Sequence, residues 1–485
     1  VGPPKELRRI DDFLWELPPG YVDRMRVPAR FYASEPLIRA MDDAVFRQAA
    51  QVATLPGIVG YSFCMPDGHY GYGFPIGGVA AFDPAEGVIS PGGIGFDINC
   101  GMRLVKTDLT LGEVKPLLKK LVDRLFERIP SGVGTTGHHR LTAEEFHELA
   151  ETGARWCLRR GYATEDDLAM TEEGGCMGGA DATRVSERAV ERGRNQVGTL
   201  GSGNHYLEVQ VATEANVIDG DTARVFGITM PDQVVVMFHC GSRGFGHQIA
   251  SDYMKRFLEG GSFDRGPRPP DRELACAPYR SELGQSYYAA MACAVNMAYA
   301  NRQLILHAVR EVFSDVFHRD PADLGMEQVY DVAHNTAKME THRVGGNRVD
   351  LLVHRKGATR AFGPGMKDIP ERYRETGQPV IIGGSMESGS YLLAGVVEGS
   401  QTFFTTAHGS GRTMSRRAAK RAFDGRKLQR DMEARGIYVR TGSYGGLAEE
   451  SGRAYKDIDE VVRSTGEAGI SRPVVRFLPI GNVKG

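Results

Sequence analysis

Five side chains with metal-ligand chemistry stand beside glycine-rich turns. Asp97 and Cys100 lie three residues apart in Gly95-Phe96-Asp97-Ile98-Asn99-Cys100-Gly101, and a tight turn there can aim a carboxylate and a thiol at one cation. Alone, the pair reads better as a turn-capping aspartate and a small core cysteine. Three histidines shift that balance. His205 follows the Gly201-Ser202-Gly203-Asn204 loop, His239 ends the apolar run Val234 to Phe238, and His334 follows Val329 to Ala333. Each marks a strand–loop junction, from which a side chain can reach a cleft. Such donors hold metals; their softness favours zinc, and manganese would win only through geometry and availability. A thiolate bridging two ions would let five side chains hold a pair, an arrangement suited to phosphoryl chemistry.

A second constellation surrounds His408. Thr402 to Ala407 is β-like and runs into His408-Gly409-Ser410-Gly411-Arg412, followed by a helical stretch from Thr413. A glycine loop entering a helix start favours a phosphate, and Thr413 or Ser415 can cap that helix. His408 would then sit beside a bound phosphoryl group as a nucleophile, a general acid or a structural residue; the residues alone leave these open. No glycine loop carries a Gly-Lys-Ser/Thr ending, so there is no Walker loop, and the lack of a Lys-x-Asp-Gly stretch argues against a lysine-nucleophile ligase. Between Arg412 and Arg430 stand eight basic residues and one acidic, Asp424. A solvated helix face is the default reading of such a run; its position after the His408 loop favours a phosphate-tracking surface. Arg243 and the His354–Arg360 stretch can add phosphate contacts.

The elements that must position these groups are partly readable. Apolar residues recur at helical spacing from Val114 to Ile129, with Pro116 early, and Tyr287 to Phe313 predicts a second long helix. Tyr206 to Val211 alternates as a strand, while Gln233 to Phe238 and Val349 to Val353 read as buried strands. Glycines cluster in loops after apolar stretches, which suggests several strand ends converging on one site. The Gly260 to Pro270 stretch reads as a loop too short to separate domains. The expectation is an α+β fold: one large compact body of packed mixed β-sheets flanked by helices, its site built from glycine-rich strand-end loops, residues 1–485 forming a single catalytic domain.

The chain has 485 residues and a net charge of −2, so basic character must be local if nucleic acid is the partner. The seven cysteines are odd in number and lack a C-x-x-C pair, as expected of free thiols in a reducing compartment. The first fifteen residues lack the apolar core of a secretory leader, and no apolar run approaches the ~20 residues that cross a bilayer. The expected location is cytoplasmic.

Taken in order, these segments resemble the RtcB family from about Pro66 to Gly485. The resemblance rests on Pro66-Asp67-Gly68-His69, Gly71 to Gly78, the Asp97/Cys100 turn, Thr199 to His205, Gly241 to Gly244, His334-Asn335, His408 to Arg412, Tyr455-Lys456-Asp457 and Val483-Lys484-Gly485. It implies a GTP- and manganese-dependent RNA ligase that joins 3′-phosphate or 2′,3′-cyclic phosphate ends to 5′-hydroxyl ends, in tRNA splicing or RNA repair. Asp97, Cys100 and His205 would hold one manganese, and Cys100, His239 and His334 the second. His408 would carry the guanylate. Asn204, His205, Tyr206, Glu208, His334, Asn335, Gly383, Gly384, Ser385, Met386, Ser390, His408, Gly409, Ser410, Gly411 and Lys484 fall at guanylate-binding positions, and Arg243, Lys356 and Arg412 where phosphates would lie. An archease-type activator and a monomeric state are further implications. The chain departs from the usual pattern at Gly68, Tyr70, Gly383 to Ser388 and Arg453. Two alternatives remain open: a metal-dependent cyclic phosphodiesterase that does not join ends, and an RNA-binding homologue without chemistry.

Overall fold

The computed structural model describes residues 2–259 and 271–485, and the Gly260–Pro270 loop expected above lies outside them. Two large mixed β-sheets and a set of helices form the α+β body anticipated from the sequence. One sheet has seven strands, ordered Arg8–Arg9, Leu14–Leu17, Ala29–Tyr32, Ile58–His69, Ile76–Phe82, Asn347–Lys356 and Asn335–Val344. The other runs Glu327–Ala333, Gly101–Thr110, Gln233–Cys240, Tyr206–Ala212, Arg472–Lys484, Ser390–Ala394 and Pro379–Gly383, with Tyr438–Thr441 pairing in parallel with Arg472–Lys484. His334 is the single residue between Glu327–Ala333 in the second sheet and Asn335–Val344 in the first, so it joins the two sheets.

A 36-residue helix, Glu282–Phe317, runs through the core and contains the expected Tyr287–Phe313 stretch. Its continuity follows from its composition: it holds no proline, and its one glycine, Gly284, lies in the first turn, where Ser281 caps that residue's N–H. It stops at His318, which takes a left-handed backbone conformation. Tyr287, Met291 and Val295 pack with Phe146, Trp156 and Phe245, while Ile305, Val309 and Phe313 pack with Phe238 and Val236 of the second sheet. Truncating a ring such as Phe238 in that layer would cost about 3–5 kcal/mol.

Three local expectations need correction. The single helix over Val114 to Ile129 is Leu111–Val114, a 3₁₀ turn over Lys115–Leu117, and Leu118–Arg128, because Pro116 lacks the N–H that a continuous helix uses. The β-like Thr402 to Ala407 stretch is a strand only over Thr405–Ala407; Val397–Thr402 is a 3₁₀ turn, and Phe403 and Phe404 have φ of 51° and 50°. The helix after the His408 loop begins only at Arg416 and is seven residues long, with Ser415 as its cap, so residues 412–415 separate it from the glycine loop. Tyr206–Ala212 is a strand as expected, and both of its faces are buried.

Candidate metal centre and adjoining nucleotide pocket

Cross-strand register brings the five predicted ligands together. Gly101 pairs with Cys240 on one neighbouring strand and with Ala333 on the other, which places Cys100, His239 and His334 side by side. His239 pairs in turn with Tyr206, so His205 arrives at the same edge. The resulting distances are short. Cys100 Sγ lies 3.0 Å from His239 Nε2 and 3.3 Å from His205 Nε2. His205 Nε2 is 2.8 Å from Asp97 Oδ2, and His239 Nε2 is 3.1 Å from His334 Nε2. Two triads, Asp97/Cys100/His205 and Cys100/His239/His334, therefore share one sulfur, and each can hold an ion with its donor atoms within 4.8 Å of one another.

The donors point inward because the surrounding backbone holds them so. The carbonyls of Leu200 and Asn204 lie 2.9 and 3.0 Å from the Nδ1 atoms of His205 and His239. With Nδ1–H donated there, each ring presents its Nε2 lone pair to the centre. Asn99, at φ 56°, makes the sharp turn between Asp97 and Cys100. A side chain at Gly241 would collide with the Asp97 carboxylate, so glycine there makes room for the ligand. Two residues of the long helix tie the loops from beneath. Asn301 accepts from the N–H groups of Gly198 and Thr199 and donates to the carbonyls of Thr199 and Gly241. Arg302 donates to the carbonyls of Asn99 and Cys240 at 2.7 and 2.9 Å, and its charge is met by Asp331 at 2.8 Å.

The electrostatics fit divalent cations. Burial pushes the Cys100 thiol up to about 12, and the Asp97 charge pushes the same way. A thiolate there thus needs neighbouring positive charge. Burial also holds His239 and His334 far below the usual imidazole range, in the neutral form that binds metals. For His205 burial acts in the same direction, but Cys100 and Asp97 outweigh it and raise its pKa. Asp97 Oδ1 and His334 Nδ1 are buried without a hydrogen-bond partner. A soft set of one sulfur, three imidazoles and one carboxylate suits a transition metal.

His408 lies beside this cluster, its ring centroid 4.9 Å from that of His334. It sits in a loop after Thr405–Ala407, which pairs with Ala358–Arg360. The carboxylate of Asp67, fully buried, fixes it: Oδ2 is 2.6 Å from His408 Nδ1 and accepts the backbone N–H groups of His408 and Gly409 at 3.0 and 3.2 Å. Burial alone would raise the Asp67 pKa; the His408 ring and its N–H groups outweigh burial and lower it. This arrangement leaves His408 Nε2 free to face a ligand. Lys456 holds the Asp67 turn by donating to the carbonyls of Pro66 and Gly68, and its own N–H reaches Gly411 O at 2.9 Å.

A cavity of about 450 Å³ opens over the centre. That volume is suited to a small ligand. Asp97, Asn204, Tyr206, His239, His334, Asn335, Lys356, Gly383 to Met386, His408 to Arg412 and Lys484 line it. Glu208 and Ser390 stand behind the lining. Gln210 bridges them, donating to both, and Asn482 donates to Glu208. Burial pushes Glu208 up to about 7 against those hydrogen bonds. Lys484 sits 5.5 Å over the Tyr206 ring. Of the three residues expected at phosphates, Lys356 and Arg412 line the cavity and Arg243 does not. Lys356 Nζ donates to carbonyls of Tyr72, Phe74 and Gly92, and burial pulls it down to about 7. The Arg412 guanidinium is occupied by Glu450, Tyr455 and the carbonyls of Met414 and Glu449. Arg243 lies against Gly201 and donates to Thr199 Oγ1 at 3.1 Å.

Sequence reasoning gave no role to Asp67, Asn301, Arg302 or Lys456. Asn301 and Arg302 carried a signal, as polar residues in an apolar helix need buried partners. Asp67 entered only as part of the Pro66–His69 motif, with no role attached.

Fold and site together define an α+β protein whose strand-end loops build a candidate two-ion centre beside an aspartate-anchored histidine. Comparison with known proteins places that class. The family model described as tRNA-splicing ligase RtcB matches residues 48–485. Proteins named tRNA-splicing ligase RtcB from Archaeoglobus fulgidus and Thermococcus kodakarensis are 52% and 53% identical to it over 480 and 482 residues, each covering 99% of both chains. The RNA-splicing ligase RtcB homolog 1 of Entamoeba dispar is 44% identical over 484 residues, 97% of this chain and 89% of its own. The chain belongs to the RtcB family. Among the described residues no helix is long and apolar enough to cross a membrane.

Proposed function

We propose that this chain is a GTP- and manganese-dependent RNA ligase that joins 3′-phosphate or 2′,3′-cyclic phosphate ends to 5′-hydroxyl ends. The observation that carries the reading is the His408 ring, fixed by Asp67 and 4.9 Å from the His334 ring at the floor of the cavity. Asp67 accepts the Nδ1 proton and so keeps the Nε2 lone pair available as nucleophile. Nε2 attacks the α-phosphorus of GTP; a P–N bond forms, and the P–O bond to pyrophosphate breaks. A cyclic phosphate end is opened by water, which bonds to phosphorus as the P–O2′ bond breaks, to leave a 3′-phosphate. An oxygen of the 3′-phosphate next attacks the guanylate phosphorus, the P–N bond breaks, and His408 is restored. The 5′-hydroxyl then attacks the activated 3′-phosphorus, loses its proton and releases GMP. Asp97, Cys100, His205, His239 and His334 would hold two manganese ions, which when bound offset negative charge on the phosphate oxygens. The Gly409–Gly411 and Gly383–Met386 loops and Lys484 supply positioning for the guanylate.

The same reading makes the chain one catalytic unit, monomeric and cytoplasmic, acting on tRNA halves or broken RNA with an archease-type activator. A cyclic phosphodiesterase that does not join ends would use neither GTP nor a nucleotide-carrying histidine, so it predicts no labelling by GTP and no longer strand. Incubation with α-labelled GTP and manganese is expected to label the wild type at His408 and to leave His408→Ala unlabelled with its metal retained. Labelling of His408→Ala would remove the proposed nucleophile.

A further inference from the structure

One part of the cavity lining is not used by this chemistry. Tyr72, Phe96 and His247 form a connected aromatic group: the Tyr72 ring meets Phe96 edge-on at 5.4 Å, and Phe96 stacks on His247 at 5.6 Å and 21°. Tyr70 stands at the rim, 57% exposed, and His247 is exposed as well. These rings belong to elements other than those carrying Gly383–Met386, Gly409–Gly411 and Lys484, although all line the same cavity. Phe96 immediately precedes the candidate ligand Asp97.

The charge around the rings is divided: Arg192 and Arg243 stand on the His247 side, whereas Asp97 follows Phe96, and Glu273, which accepts the Gly73 N–H at 3.0 Å, stands on the Tyr72 side. Arg243 lies four residues before His247 on the helix Arg243–Glu259, one turn away. Arg192 is held by Gln248 at 2.8 Å. A half-exposed π surface beside two guanidiniums, one residue from a metal ligand, matches an unpaired nucleotide. Its phosphate is drawn to the cations, and its base regains on the rings the stacking lost on leaving its strand.

We propose that Phe96 and His247, backed by Tyr72 and rimmed by Tyr70, form a stacking ledge for the terminal nucleobase of an RNA end whose phosphate reaches the metal floor. This deepens the RNA-joining reading and rests on it. The ends of the two strands offer the same base chemistry, so the test has one arm for each.

The measurement is binding of short labelled RNAs by fluorescence anisotropy, with manganese present. One RNA carries a 3′-phosphate and one a 5′-hydroxyl, each made with an intact or an abasic terminal nucleotide. For one of the two ends, losing the base is expected to weaken wild-type binding about tenfold. His247→Ala should weaken binding of the intact form of that end by a similar factor and be nearly insensitive to the abasic change. Phe96→Trp should keep or tighten binding, and Phe96→Ala, with metal content confirmed, should behave as His247→Ala. Additive losses, or no effect of the base at either end, would overturn the ledge. A wild type that shows this coupling yet never joins ends would overturn the ligase reading alone. Ligation without the coupling would overturn the ledge alone.

Discussion

The metal floor and the basic segment Arg412–Arg430 handle charge in opposite ways. In the floor, charged and polar groups are packed together, and strand register and the long helix set their places; Asp97 Oδ1 and His334 Nδ1 keep no hydrogen-bond partner there. In the basic segment most cations stand in solvent; Lys420 and Lys427 make exposed pairs with Glu449 and Asp431, at 3.4 and 2.6 Å. Buried pairs left half-broken cost several kcal/mol, whereas exposed pairs contribute about 0–1 kcal/mol. Geometry that must hold to fractions of an ångström is thus kept in the sheet ends, and attraction that need only be strong at a distance is displayed outside.

Substitutions that enter the floor should have the largest effects. Asp67→Asn keeps the shape but takes away the anionic acceptor of the His408 Nδ1 proton. The rate of His408 labelling is expected to fall ~10²–10⁴-fold, with GTP binding by calorimetry little changed. An equal loss of GTP binding would make Asp67 a nucleotide ligand instead of a positioning residue. Asn301→Ala removes bonds to the loops carrying His205 and His239 without touching a donor atom. Metal affinity should drop about 10–100-fold, read by titration against a chelator; unchanged affinity would show that the loops hold themselves.

A pH measurement sharpens the comparison from the same buried side. The Glu208 carboxyl is raised from 4.5 to about 7 by burial. Between those values the folded chain holds a proton that the unfolded chain has released, so stability falls as pH rises through the window and is fully present below it. Lys484 works against this shift. Glu208→Gln should flatten the denaturant-midpoint profile between about pH 5 and 7; an unaltered slope would place the titration elsewhere. On the exposed side, Arg417→Ala and Arg421→Ala should leave His408 labelling intact and lower the slope of log RNA affinity against log salt by about 0.7 for each RNA phosphate no longer neutralised. A loss of labelling would mean that the segment reaches into the chemistry.

The five donors were readable as candidates because metal-binding residue types stand together beside glycine turns at strand ends, whereas the residues alone left the role of His408 open and the family resemblance made it the nucleotide carrier. The α+β class was legible because apolar strand runs alternate with helical spacing. What united the donors was not legible: Gly101 pairs with two strands far away in sequence, and no local pattern encodes that register. Pro116 and the left-handed Phe403 and Phe404 altered elements whose apolar pattern read as continuous. Arg243 was expected at a phosphate from its glycine loop and the family resemblance; the fold sets it against Thr199, outside the cavity lining itself and on the helix that carries His247. A guanidinium's type was readable; its direction depended on the turn that opens its helix.

Metal stoichiometry is the most direct test of a centre built on one shared sulfur. Purified protein equilibrated with manganese and freed of excess should retain two ions per chain by elemental analysis, and Cys100→Ala should lose both. Retention of one tightly held ion in that variant, or of two, would contradict a bridging role for Cys100 and the account built on it.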